Sequence, residues 1–132
     1  MRKKLLHNDL AAYYQVTSLS DTEICLFLTE IEGLSATVID NAVIVSIHKD
    51  AYCFNPLVDN DQFLELFIKH DVERTYQPNK CAGWAYHVKN GANPIHVFES
   101  QIFNPDSEPS AVMKKAACLS ILLNKSDRFT LS

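Results

Sequence analysis

Glycine is scarce in this chain. Only three occur in 132 residues, and Gly33, Gly83 and Gly91 lie far apart. A loop that cradles phosphate needs glycines in close succession so that backbone amides can approach the anion. Neither G-x-x-x-x-G-K nor G-x-G-x-x-G is present, which disfavours nucleotide hydrolysis. The four cysteines, Cys25, Cys53, Cys81 and Cys118, never form the C-x-x-C spacing that holds zinc or exchanges thiols. They are expected as reduced, mostly buried thiols that pack as small hydrophobes. A G-x-S-x-G elbow is also missing, and no cysteine sits in a nucleophile signature, so covalent catalysis has no support.

Positive charge is short as well. Twelve Lys and Arg against sixteen Asp and Glu leave a formal charge of −4, too little to drive binding to a phosphate backbone. Direct nucleic-acid binding is not expected. The acidic residues are interleaved with lysines, which also speaks against a protein that imitates DNA with a continuous carboxylate surface. No apolar run approaches the ~18 residues that span a bilayer, so no membrane partner is expected. Met1 to Leu6 begins like a secretion signal, but His7, Asn8 and Asp9 interrupt it after two leucines. The expectation is no export and a cytoplasmic home.

What is present suits one α+β domain. The chain is 47% apolar and 21% charged, near the average for a globular domain able to bury one core without metals or disulfides. Ser20-Asp21-Thr22-Glu23 is a capping box. Ile24, Phe27, Leu28 and Ile31 follow at helical spacing, and Gly33 stands where a left-handed cap is wanted, so a helix is predicted over 21–32. Val38-Ile39 and Ala42 to Ile47 are arms rich in β-branched residues around Asp40-Asn41, a strand–turn–strand pattern, with a single bulged strand as the alternative because the first arm is short. Asp59 or Asn60 can cap a second helix carrying Phe63, Leu64, Leu66, Phe67 and Ile68. Its apolar arc of roughly 200° predicts burial against a sheet and a central position.

Cys81–Lys89 and Ile95–Phe103 alternate like strands joined by Asn90-Gly91-Ala92-Asn93, the strongest hairpin signal in the chain. A symmetric loop sets Val88 opposite Ile95, Tyr86 opposite Val97 and Trp84 opposite Glu99, on a mostly apolar face expected to meet helices. Pro109 opens a last helix with Val112, Ala116, Leu119 and Leu123 as its seam and Lys114 and Lys115 toward water. The expected fold is an α+β, α/β/α-type sandwich: an antiparallel sheet of about four strands packed with two to three helices. Residues 1–19 are read as an amphipathic extension, 20–125 as the domain and 126–132 as a loose tail.

Candidate site residues are few. The hairpin register sets His87 opposite His96 on the less apolar face beside Phe98, where two imidazoles could share a metal. A tetrahedral site wants four ligands, and Cys81 and Glu99 are not on that face. His70 falls near the apolar arc of the second helix, where a lone histidine is usually a hydrogen-bonded core residue. Asp59-Asn60-Asp61 lacks the glycine and distal glutamate of a calcium loop and reads as helix capping. Leu26, Ile121 and Leu122 lie off the buried seams of their helices. Clustered with Leu6, Leu10 and Tyr13 they would mark an association surface. No catalytic residue, metal ligand or cofactor is expected. The partner-binding candidates are Leu6, Leu10, Tyr13, Leu26, His87, His96 and Phe98.

The segments Leu28-Thr29-Glu30-Ile31-Glu32-Gly33-Leu34, Tyr52-Cys53-Phe54-Asn55-Pro56, Trp84-Ala85-Tyr86 and Ser107-Glu108-Pro109, followed by Ala116-Ala117-Cys118-Leu119, come in an order that resembles phage ABA-sandwich proteins. These are small bacteriophage and prophage proteins in which helices pack around an antiparallel sheet. The resemblance covers about residues 21–124 and rests on turn and packing residues. Residues 1–19 and the Asp40-Asn41 turn extend or depart from it. It implies a non-enzymatic accessory protein in the cytoplasm of a bacterial host, binding and inhibiting or redirecting a host protein or defence complex, with an anti-CRISPR-like inhibitor as one form. Two other expectations stand beside it. One is a structural, homo-oligomeric phage protein assembled through residues 1–19. The other is a small enzyme or ligand-binding domain using His87, His96 or His70.

Overall fold

The computed structural model describes residues 3–4, 9–77, 83–89, 96–124 and 130–131, with side chains described for 13–77, 83–89 and 96–124. The fold is α+β. In chain order its elements are β1 (Lys3–Lys4), α1 (Asp9–Thr17), α2 (Asp21–Ile31), β2 (Ala36–Ile39), β3 (Ala42–Ile47), β4 (Asp50–Cys53), α3 (Asn60–Lys69), β5 (Val72–Gln77), β6 (Gly83–Val88), β7 (Val97–Phe98), α4 (Glu99–Ile102), α5 (Pro109–Asn124) and β8 (Thr130–Leu131). The strands divide between two antiparallel three-stranded sheets, β2-β3-β4 and β5-β6-β7, and a short β1-β8 pairing joins the two ends of the chain.

The boundaries of α2 follow from its caps. Ser20 Oγ accepts from Glu23 N at 3.2 Å while Ser20 N donates to Glu23 Oε1 at 3.0 Å, so the two ends of the capping box satisfy each other. At the other end Gly33 takes φ +68°. This lets Leu34 N reach Thr29 O at 2.9 Å and Gly33 N reach Glu30 O at 3.2 Å, the paired bonds of a Schellman stop. The next turn is tighter. Asp40 and Asn41 both have positive φ, 50° and 65°, as a two-residue hairpin matching the strand twist requires. Thr22 Oγ1 donates to Asn41 O at 2.7 Å and ties this hairpin tip to the first turn of α2.

The core helix is α5. Its residues Ala116 to Leu123 are all buried, and it packs on α1, α2, α3, α4 and the second sheet. The first sheet joins this core through β3 against α2, with Val43 and Val45 turned inward. Small Ala116 and Ala117 permit close approach, while each fully buried Leu or Ile contributes about 1.5–3 kcal/mol. Val16 and Leu19 are buried in the same core cluster, so the segment read as an extension shares the interior of the domain.

Several expectations need correction. The second helix, α3, is not central: it is capped by Asp59, whose carboxylate accepts from Gln62 N at 2.9 Å, but Leu64 and Ile68 are 50% and 74% exposed. Only Phe63 and Leu66 are buried, because α5 already fills the central place. Lys114 does not face water; it is buried, and its Nζ reaches Val58 O at 3.5 Å. Ile121 and Leu122 are buried rather than at an edge. The strand predicted through Phe103 stops at Phe98 and turns into α4. The strands β1, β4, β5 and β8 were not foreseen, and two three-stranded sheets stand in place of one sheet of about four strands. The Asn90 to Asn93 turn and most of the tail lie outside the described residues.

Candidate protein interface

The register of β5 on β6 places Arg74 opposite Tyr86 and Tyr76 opposite Trp84. These four residues share one face. Toward Val72 and Val88 the face is buried, as is Tyr86, with α5 packed on β5, β6 and β7. Toward the other end it opens: Tyr76 is 54% and Trp84 39% exposed. The face expected to meet helices throughout therefore does so over only half its length.

The exposed end is held in one geometry. The Arg74 guanidinium lies 3.9 Å above the Trp84 ring centroid and 5.9 Å from that of Tyr86. Tyr76 meets Trp84 edge-on, centroids 5.4 Å apart at 69°. Arg74 Nε donates to the Tyr86 hydroxyl at 2.8 Å and Arg74 Nη2 pairs with Glu99 Oε2 at 3.2 Å. The Tyr86 hydroxyl donates in turn to the same Glu99 oxygen. Burial pushes the Tyr86 phenol well above its ordinary pKa, and its bond to Glu99 adds to this against the opposing pull of Arg74. Desolvation pulls the Arg74 guanidinium down, but the hydrogen bonds and charges of Tyr86 and Glu99 outweigh it and hold it above its ordinary value. A cation is thus fixed over an aromatic face by a buried phenol and a carboxylate.

Of the residues singled out from sequence, three come together. His87 and His96 are in ring contact, centroids 4.5 Å apart at 40°, and His96 stands 6.5 Å from Phe98. The observed pairing of Tyr86 with Val97 and Ala85 with Phe98 is the register read from sequence. His87 Nε2 lies 3.4 Å from Glu73 Oε1, Lys89 pairs with the other oxygen at 3.6 Å, and His87 Nδ1 is buried with no hydrogen-bond partner among the described residues. The other four are not gathered with them. Tyr13 and Leu26 are partly buried against the core, and the Tyr13 hydroxyl bonds to Gln101 Oε1. Leu10 lies in α1, and Leu6 is outside the described residues.

His70, as expected of a lone histidine there, is hydrogen-bonded: its Nε2 meets Glu32 Oε2 at 3.0 Å while Lys69 takes Oε1 at 3.0 Å. This joins the ends of α2 and α3 beside a cleft of about 430 Å³ floored by Leu34, Ile47, Tyr52, Phe54 and Leu66. Among the described residues no three His, Cys, Asp or Glu side chains are arranged to hold a metal. No helix among them is long and apolar enough to cross a membrane. Cys25 and Cys118 are buried free thiols and Cys53 is exposed; Cys81 lies outside the described residues.

Arg74 and Tyr76 escaped the sequence reading because Glu73 and Arg74 obscure the strand. The signal was there in the alternation of Val72, Arg74 and Tyr76 against Glu73, Thr75 and Gln77. The chain matches no family model, no curated protein and no solved structure.

Proposed function

We propose that the protein is a non-enzymatic binding protein of the phage or prophage accessory kind, which docks on a bacterial host protein or defence complex and inhibits or redirects it, an anti-CRISPR-like inhibitor being the form considered first. The observation that carries the binding reading is the exposed Tyr76–Trp84–Arg74 group, preset by Tyr86 and Glu99. Trp, Tyr and Arg dominate the energetic centres of protein interfaces, where fixed side chains lose little entropy on docking. The phage-type setting rests on the resemblance over residues 21–124.

The test uses the tagged chain and its Trp84→Ala variant to capture partners from bacterial lysate, with binding to the purified partner then measured. A stoichiometric partner bound by the parent and weakened at least about thirtyfold by the variant supports this reading, since hot-spot truncations cost ~2 kcal/mol or more. Equal binding by both would reject this surface.

One specific observation favours a second reading. The His87–His96 ring contact beside Glu73 suits a histidine-based ligand site. NMR titration of the five histidines distinguishes it: coupled titration supports it, and independent titrations reject it.

A further inference from the structure

We infer that the free edge of β2 is a self-pairing edge, at which two copies of this chain join β2 to β2 antiparallel, centred on Thr37, into one six-stranded sheet. The surface is separate from the Tyr76–Trp84–Arg74 group, and the inference does not depend on it.

The first reason is a contrast between edges. An open strand edge offers unpaired amides and carbonyls to any other strand, and proteins block such edges with charge, proline, bulges or brevity. Among the described residues three of the four edges of the two larger sheets carry such a device. β5 bears Glu73 and Arg74, and β7 has two residues. β4 bears Asp50, and its Cys53 carbonyl already accepts from Gln62 Nε2 at 2.9 Å. β2, Ala-Thr-Val-Ile, has none: no charge and no proline, with Thr37, Val38 and Ile39 all exposed.

The second reason is which groups point outward. Ser46 N donates to Ser35 O at 3.0 Å, and Phe54 N donates to Val43 O at 2.8 Å. With Thr37 opposite Ile44 and Val38 opposite Val43, the alternation of an antiparallel ladder turns Ser35, Thr37 and Ile39 toward β3. The amides and carbonyls of Ala36 and Val38 then face outward. A two-fold axis at Thr37 sets Ala36 of each copy against Val38 of the other and satisfies all of these groups with four backbone hydrogen bonds. It also keeps faces matched: Ala36 meets Val38 on the side of Val43 and Val45, and Thr37 meets Thr37 on the other side.

Charge selects the occupant. On that other side the paired strands show Thr37, Ile39, Ile44, Ser46, Ala51 and Cys53, without a charge among them in a chain of net charge −4. Self-pairing therefore joins two uncharged faces and leaves Asp40 beyond both ends of the ladder. A strand this short buries less than a standard interface, so the dimer is reversible.

The experiment is sedimentation velocity on the full chain from about 10 μM to about 1 mM, a range suited to weak association. The parent is expected to show a reversible monomer–dimer equilibrium. Thr37→Lys and Thr37→Glu, which put like charges directly opposite at the axis, should each weaken it at least about tenfold. An equimolar mixture of the two should restore a heterodimer. Val38→Pro, which removes only an outward amide on an edge strand, should give a monomer with parental circular dichroism. A parent that stays monomeric throughout, single-charge variants that dimerise like the parent, or a mixture that fails to recover would each overturn the inference, whether or not the proline variant folds.

Discussion

Arg74 lies over Trp84 with its guanidinium carbon 3.9 Å from the ring centroid, and its Nε is anchored on the buried hydroxyl of Tyr86 at 2.8 Å. Trp84 is the only tryptophan in the chain, so its fluorescence reports this contact directly. Removing the cation by Arg74→Ala should shift Trp84 emission and lower stability by about 1.5–3 kcal/mol, because its charged hydrogen bonds to Tyr86 and Glu99 are lost with the cation–π contact. An unchanged spectrum would show that the ring does not sense Arg74 in solution.

Tyr86→Phe should cost a similar amount. The ring is fully buried, and its hydroxyl both accepts from Arg74 and donates to Glu99. Loss of hydrogen bonds to charged partners is expected to lower unfolding stability by about 1.5–3 kcal/mol. Urea denaturation of the variant against the parent measures it.

Alkaline pH should destabilise the fold. Burial pushes the Cys25 thiol up from 9.0 to about 12, with the charge of Asp21 and then Cys53 adding to it. Burial likewise raises Cys118, and it raises Tyr86. For groups kept neutral in the fold, the unfolded chain releases protons first. It therefore binds fewer protons than the native state above pH ~9, and stability falls as pH rises. Each thiol contributes a slope of up to about 1.4 kcal/mol per pH unit between its unfolded and folded pKa. Melting temperatures recorded from pH 8 to 11 should decline, and Cys53 should be alkylated in the native protein well before Cys25 and Cys118. Equal labelling of all three would contradict their burial.

The two faces of α3 should respond differently. Leu66→Ala removes a buried side chain and is expected to cost about 2–5 kcal/mol. Ile68→Glu, on the exposed ridge, should change stability by less than about 0.5 kcal/mol. Thermal denaturation of the pair tests whether only the Phe63–Leu66 face of α3 is buried.

Local chemistry was the legible part of the sequence. The Ser20–Glu23 capping box, the Gly33 stop, the Asp40-Asn41 turn and the start of the last helix at Pro109 are each decided by a few neighbouring residues, and each appears in the fold. The facing of Tyr86 with Val97 was likewise fixed by strand alternation. The choice of central helix was decided at long range. α3 and α5 both have apolar residues enough to claim the centre, and the choice of α5 depends on its small Ala116 and Ala117 and on four neighbouring helices. β4 and β5 pair with the strands next to them in the chain, β3 and β6, and were hidden locally, because Asp50, Glu73 and Arg74 break the apolar alternation. The exposed Trp84 was visible as a residue but not as a surface, because its exposure depends on where α5 ends its cover.

The most direct test of the binding reading is the affinity of parent and Trp84→Ala chains for a partner captured from bacterial lysate, with the fold of both verified by circular dichroism. The expected result is one stoichiometric host protein held by the parent and lost by an equally folded variant. Capture of nothing by the parent, or the same affinity in both chains, would contradict the proposed role of the Tyr76–Trp84–Arg74 surface.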